Sequence, residues 1–141
     1  MAAVVPGAGF VLYRIFPEGL RFLGLVGPEF HQIRCSGAYD IPKGIIDAGE
    51  TPLVTALREA KEEAGYTITK KQIVSGPFVD SFLTMWLAEV YTEPFITPNP
   101  HTGIIEHEGY SWLEPEELLN NCYDYLRPTV RWAVLEYLKM I

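Results

Sequence analysis

The chain has 141 residues, 48% hydrophobic and 21% charged, which is the balance of one ordinary globular domain and excludes disordered, collagen-like and low-complexity classes. The formal net charge of −7 arises from 18 acids against 11 bases. A chain this acidic gains no counterion-release affinity for phosphate backbones, so a role coating long nucleic acid is excluded.

Two early runs read as strands, Ala8 to Phe16 and Leu20 to Val26, separated by the turn signal Pro17-Glu18-Gly19. Pro28 to Ser36 is expected to be a loop, and Tyr39 to Ile41 a short extended piece leading into Pro42-Lys43-Gly44. The period then changes. Leu53, Ala56, Leu57, Ala60 and Ala64 fall on one stripe of an amphipathic helix, with Thr51 placed as N-cap, Pro52 at the first helical position and Gly65 as the stop. Strand character returns at 72–79, 83–91 and 104–113, with Pro94, Pro98 and Pro100 stiffening the loop between the last two. Helices are expected at 116–121 and from Pro128 to about Lys139, with Trp132, Leu135 and Leu138 as the core side of the last one. Strands around a central helix with helices at the end predict a layered α/β (α+β) fold, with residues 1–141 as a single domain.

Half of the acids lie in two stretches, Glu50, Glu59, Glu62 and Glu63 in one and Glu106, Glu108, Glu114, Glu116 and Glu117 in the other. On the central helix, at about 100° per residue, Glu59, Glu62 and Glu63 share one face beside the apolar stripe. Like charges at this spacing repel by several tenths of a kcal/mol per pair, and a face with nothing to bind more often interleaves its signs. Oxygen-only ligands on one face suit a hard divalent cation such as Mg²⁺ or Mn²⁺.

The segment runs Gly44, five residues, Glu50, seven residues, then Arg58-Glu59-Ala60-Lys61-Glu62-Glu63-Ala64-Gly65-Tyr66. It resembles the Nudix box, G-x5-E-x7-R-E-U-x-E-E-x-G-U, at every charged and glycine position, with Ala60 small and Tyr66 aromatic at the two hydrophobic positions. The resemblance implies the Nudix fold, a mixed β-sheet sandwiched between α-helices, and Mg²⁺-dependent attack of water on a diphosphate linking a nucleoside to another group. It further implies that Glu59, Glu62, Glu63 and the Gly44 carbonyl hold the metal, that Glu59 orients the attacking water, and that Arg58 and Glu50 pair to hold the loop against the helix. Phosphoryl-type transfer needs charge neutralisation and positioning more than covalent help, in keeping with these roles.

Tyr39-Asp40-Ile41-Pro42-Lys43-Gly44, Trp86-Leu87-Ala88-Glu89 and Glu106-His107-Glu108-Gly109-Tyr110-Ser111-Trp112 are similar to segments of asymmetric dinucleoside polyphosphate hydrolases. That likeness implies diadenosine tetraphosphate as substrate type, Lys43 and Tyr39 as substrate contacts, and Glu106, with Glu108 competing, as a further metal ligand or base on a strand. The basic residues that such relatives carry between 72 and 106 are absent here. ADP-ribose, nucleotide sugars and 5′-triphosphate or capped RNA ends are alternative substrates, and a nucleotide-sensing Nudix module without catalysis is the reading from another class. The partner in each case is a small nucleotide, and the protein a monomer or homodimer.

His31, His101 and His107 are expected in loops or at the surface, since none pairs with another at metal-ligand spacing. Glu114, Glu116 and Glu117 suit the start of a helix dipole. Phe30, Tyr39, Phe82, Tyr123 and Tyr125 are the aromatics from which a base-stacking partner would come, with packing the competing role for each. Cys35 and Cys122 lack CxxC spacing and read as reduced thiols. With no basic n-region at the start and no apolar run near the roughly 18 residues of a membrane span, a cytoplasmic protein is expected.

Overall fold

Alternation of apolar side chains along the first strand decides the layers. The computed structural model describes residues 5–98, 100, 102–104 and 106–141. In β1 (Gly7–Phe16), Phe10 and Leu12 face one core and Val11 and Tyr13 the other. A strand buried on both faces belongs at the centre of a sheet, covered on each side. Hairpin partner β2 (Gly19–Val26) runs antiparallel to it, and β6 (Leu83–Glu89) lies parallel on its other side. Beyond these lie β3 (Tyr39–Asp40) against β2 and β5 (Ile73–Asp80) against β6, giving the order β3-β2-β1-β6-β5. Two short strands attach off this path, β4 (Lys43–Ile45) on the start of β1 and β7 (Gly109–Leu113) on β2.

Helix α2 (Pro52–Ala64) docks on one face through Ala56, Ala60 and Ala64, all fully buried, whose small side chains let the helix approach Phe10, Leu12, Leu23 and Leu25 closely. Thr51 caps it by accepting from the Val54 N–H at 3.2 Å, and Gly65 ends it in the left-handed region at φ 76°. The opposite face is covered by α3 (Pro115–Asn121) and α4 (Arg127–Met140), which with Leu126 from the turn between them bury Leu118, Val130 and Ala133 against Val11, Met85 and Leu87. The architecture is the expected mixed sheet between helices. No helix among the described residues is long and apolar enough to cross a membrane.

Three sequence expectations are corrected. Residues expected as a loop contain α1 (Glu29–Arg34), a six-residue helix with no buried residue, so no apolar period announces it. Of the strand expected over 104–113, which includes one residue, 105, outside the described set, the described residues form a strand from Gly109, opposite the end of β2 at Val26. On α4, Leu135 and Leu138 are 52% and 53% exposed. Trp132 stacks on Phe78 with ring centroids 5.1 Å apart, but the buried stripe runs through Val130 and Ala133, with Val134 and Tyr137 half-buried behind them.

Gly9 is where β1 admits the loop that leads to β4. A methyl group there would fall 2.1 Å from the Pro42 carbonyl oxygen, which itself accepts from the Phe10 N–H at 3.0 Å. Gly9→Ala is expected to cost about 2 to 3 kcal/mol by overpacking, read as a lower urea midpoint at unchanged slope.

Candidate active site

The loop from β4 into α2 and the outer face of α2 form one electrostatic unit centred on Arg58. Its Nε and Nη2 donate to the two oxygens of Glu50, each at 2.9 Å, in bidentate geometry, and Thr55 Oγ1 donates to Glu50 at 2.8 Å. Nη1 reaches Glu59 at 2.9 Å and Glu62 at 3.2 Å, while Nη2 also reaches Asp47 at 3.2 Å and the Ile45 carbonyl at 3.2 Å. The hydrogen bonds from Arg58 and Thr55 hold the Glu50 carboxyl at about 2. Glu50 and Arg58 are therefore occupied with each other, fastening the loop to the helix.

Gly44 accounts for the first position of the box. A methyl group there would lie 2.1 Å from Glu59 Oε1, so only glycine lets that carboxylate reach the β4 backbone. Burial, opposed by Glu63 and Arg58, raises the Glu59 carboxyl. Glu63 is 7% exposed, and burial together with the neighbouring Asp40 charge pushes its carboxyl well up. Its Oε1 has no hydrogen-bond partner among the described residues.

Behind these carboxylates lies a buried polar group that sequence reading did not assemble. Asp40, 8% exposed, accepts from the Ile41 N–H at 2.8 Å and pairs with Lys43 Nζ at 2.9 Å. His107 is 6% exposed, with Nε2 3.0 Å from Asp40 and Nδ1 3.8 Å from Glu63. Burial would push Asp40 up, but the Lys43 ammonium and the His107 hydrogen bond outweigh it and hold the carboxyl at about 2. Burial likewise opposes the charge on Lys43, and Asp40 and Tyr125 overcome it, so Lys43 stays cationic. His107 lies in a loop, as one of its two expected placements had it, but it is buried between two carboxylates rather than at the surface. Its neighbour in the sequence motif, Glu106, was the only signal. His31 is half-buried on α1, and His101 lies outside the described residues.

Glu62, Glu63, Glu106 and His107 line, with Ile96 and Thr97, a niche of about 10 Å³, the space of one water molecule. Glu106 also borders a larger cleft of about 580 Å³ whose floor holds Asp40, Lys43, Glu63 and His107. Glu106 comes from the loop before β7 rather than from the strand itself, and Glu108 lines neither space. Tyr39 lies apart from both, half-buried on β3, where its ring would contact any side chain at Gly24. Lys43 also borders a second concavity of about 120 Å³ beside Phe82 and Tyr125, and its Nζ lies 5.4 Å from the Tyr125 ring centre. Tyr123, 3% exposed, belongs to the core.

These residues fit a divalent ion. The donors are carboxylates, the oxygen ligands a hard cation takes, and Glu63 Oε1 is an acceptor with no hydrogen-bond partner among the described residues. A family model described as the NUDIX domain matches residues 10–133. The chain belongs to that family. Nudix hydrolases as a class require a divalent metal. The chain is 31% identical over 129 residues to the asymmetrical bis(5′-nucleosyl)-tetraphosphatase of Caenorhabditis elegans, covering 82% of this chain and 83% of that protein. It is 36% identical over 87 residues to the protein of the same name from Mus musculus, covering 54% and 55% respectively. The crystal structure of a C. elegans Ap4A hydrolase binary complex superimposes over 98% of this chain and 100% of that one, with a TM-score of 0.70 at 26% identity.

Two predictions follow from the two polar groups. Glu50 sits at about 2 in the fold against an ordinary value of 4.5, so its pairing stabilises fully above the ordinary value and is lost as pH falls toward 2. The stability difference between wild type and Glu50→Gln, from urea melts, is expected to be largest near neutral pH and to shrink between pH 4.5 and 2. His107→Asn, which breaks the bridge to Asp40 and Glu63, is expected to weaken Mn²⁺ binding about 10- to 100-fold by calorimetry. An unchanged Mn²⁺ affinity would reduce His107 to packing.

Proposed function

We propose that the protein is a divalent-metal-dependent pyrophosphohydrolase acting on a nucleoside diphosphate linked to another group, with a dinucleoside polyphosphate such as diadenosine tetraphosphate as its substrate. The observation that carries this reading is Glu59 set against Gly44 on the same helix as Glu62 and Glu63, which line a niche next to a cleft whose floor presents Lys43. The named activity of the C. elegans and mouse relatives supports the substrate class.

Glu59, Glu62 and Glu63, with the Gly44 carbonyl and Glu106 at the rim, would hold the ion, Mg²⁺ being the natural choice for this oxygen set. When bound, a divalent ion supplies charge neutralisation to the polyphosphate and a nucleophilic water at neutral pH. Glu59 is placed by Gly44 and Arg58 to orient the attacking water. Lys43, kept charged by Asp40, donates to phosphate oxygens along the cleft floor. Arg58 and Glu50 act by position alone, keeping the loop and the carboxylates in register. The whole chain, residues 1–141, would act as one cytoplasmic domain, as a monomer or homodimer.

The test is turnover with Mg²⁺ across diadenosine tetraphosphate, ADP-ribose, nucleotide sugars and 5′-triphosphate RNA. Diadenosine tetraphosphate is expected to give the highest kcat/KM, chelation to abolish it, and Glu63→Gln to lower it by at least about 100-fold. Preference for another compound would move the substrate within the family, and tight nucleotide binding without any turnover would make the protein a sensor.

A further inference from the structure

Helix α1 is held in place without its apolar side chains. Its Gln32 side chain donates to the Gly27 carbonyl at 2.7 Å, the Cys35 carbonyl accepts from Asp124 N–H at 2.8 Å, and the Ala38 N–H donates to Asn121 O at 2.8 Å. None of its residues is buried, and Phe30 is 63% exposed. An exposed phenyl ring that anchors nothing forgoes the benefit of burying its area, and such exposure at a cleft wall marks a ligand surface.

The wall in question is that of the 580 Å³ cleft. Phe30 stands on it beside His31, their ring centres 4.1 Å apart, with Ile45 and Ile104, 58% and 63% exposed, as further apolar surface. The floor is the polar set of Lys43, Asp40, Glu63 and His107. One continuous space thus joins a phosphate-directed cation and the carboxylate centre to an aromatic wall. Its volume is in the range of sites that enclose a small organic ligand, roughly 300 to 1,000 Å³. Lys43 also borders the separate concavity beside Phe82 and Tyr125, so a polyphosphate lying on Lys43 has an aromatic surface on either side. A molecule with a nucleoside at each end of its phosphates matches that layout.

We propose that Phe30, backed by His31, is the stacking platform for one of the two nucleobases of the substrate. The proposal rests on the dinucleoside polyphosphate reading above and adds a specificity-determining residue to it. Stacking on an aromatic face tolerates any base, because each has a π-surface, so this subsite selects for the presence of a second nucleoside rather than for its identity. Phe30 touches neither the carboxylate cluster nor the core, so its loss changes binding and leaves the chemical step alone.

The experiment compares wild type, Phe30→Ala and Phe30→Trp on diadenosine tetraphosphate and on adenosine 5′-tetraphosphate, which has one base. Phe30→Ala is expected to raise KM for the dinucleoside about 10-fold with kcat within about 2-fold, and to erase its KM advantage over the single nucleoside; Phe30→Trp is expected to keep both. Equal KM values for wild type and Phe30→Ala would overturn the proposal. Should wild type turn over neither compound, the substrate reading falls, and titration with the fluorescent base analogue 1,N6-ethenoadenosine monophosphate decides the subsite alone. Binding about 10-fold weaker in Phe30→Ala then supports the stacking site, and identical binding overturns it.

Discussion

Arg58 makes the rest of the site physically tenable. Glu59 and Glu62 approach its Nη1 within 3.2 Å, and Glu50 and Asp47 approach the same guanidinium within 3.2 Å. At an effective dielectric of about 20, two unit charges 4 Å apart interact by about 4 kcal/mol. The repulsion of neighbouring carboxylates on an isolated helix is only several tenths of a kcal/mol per pair. One well-placed cation offsets part of the repulsion it sits among, and its planar fork lets it engage several acids at fixed angles where a lysine would provide a point charge. The loop geometry, the Gly44 contact with Glu59 and the aim of Glu62 all depend on that fork.

Glu63 is outside this compensation. It faces inward toward Asp40 and His107 rather than outward toward Arg58, and desolvation dominates its titration. A buried carboxyl with one oxygen lacking a hydrogen-bond partner among the described residues is costlier than the neutral hydroxyls of Tyr123 and Thr129 left in the same condition. Such a group is retained where a ligand completes it, and a divalent ion is the ligand this donor set takes. The Asp40–His107 bridge at 3.0 Å fixes the ring between the two carboxylates, so that Lys43 and Glu63 are held by one rigid group. This is the arrangement expected of supporting shells around metal sites, where orientation matters as much as ligand identity.

What could be read in advance, and what could not, divides along sequence distance. The cap, stripe and stop of α2, and the spacing from Gly44 to Glu63, are local patterns, and all fall where the residues placed them. So do Glu114, Glu116 and Glu117 at the start of α3, where Glu117 accepts from the Glu114 N–H. The bridge between His107 and Asp40 joins residues 67 positions apart, and only the sheet, by placing β7 and β3 on the same strand β2, brings their segments together. Helix α1 escaped because a helix without a buried face has no period to detect. On α4 a regular apolar pattern existed, yet the sheet receives Val130 and Ala133, and Leu135 and Leu138 are left to solvent. Periodicity identifies a helix more securely than it identifies which side of it is buried.

The charge of the site then determines how it can bind. Glu62, Glu63 and Glu106 line the niche, and Glu63 and Glu106 also the cleft, while Lys43 on the cleft floor is paired with Asp40 at 2.9 Å. Lys43 can thus offer hydrogen bonds but little uncompensated positive charge. A polyphosphate entering this space without ions would meet net repulsion, which in a partly desolvated cleft is stronger than on an open surface. Ion and polyphosphate each remove the charge that disfavours the other, so their affinities are linked, and by thermodynamic reciprocity each must raise the other's by the same factor. The overall charge of −7 is therefore compatible with a polyanionic substrate.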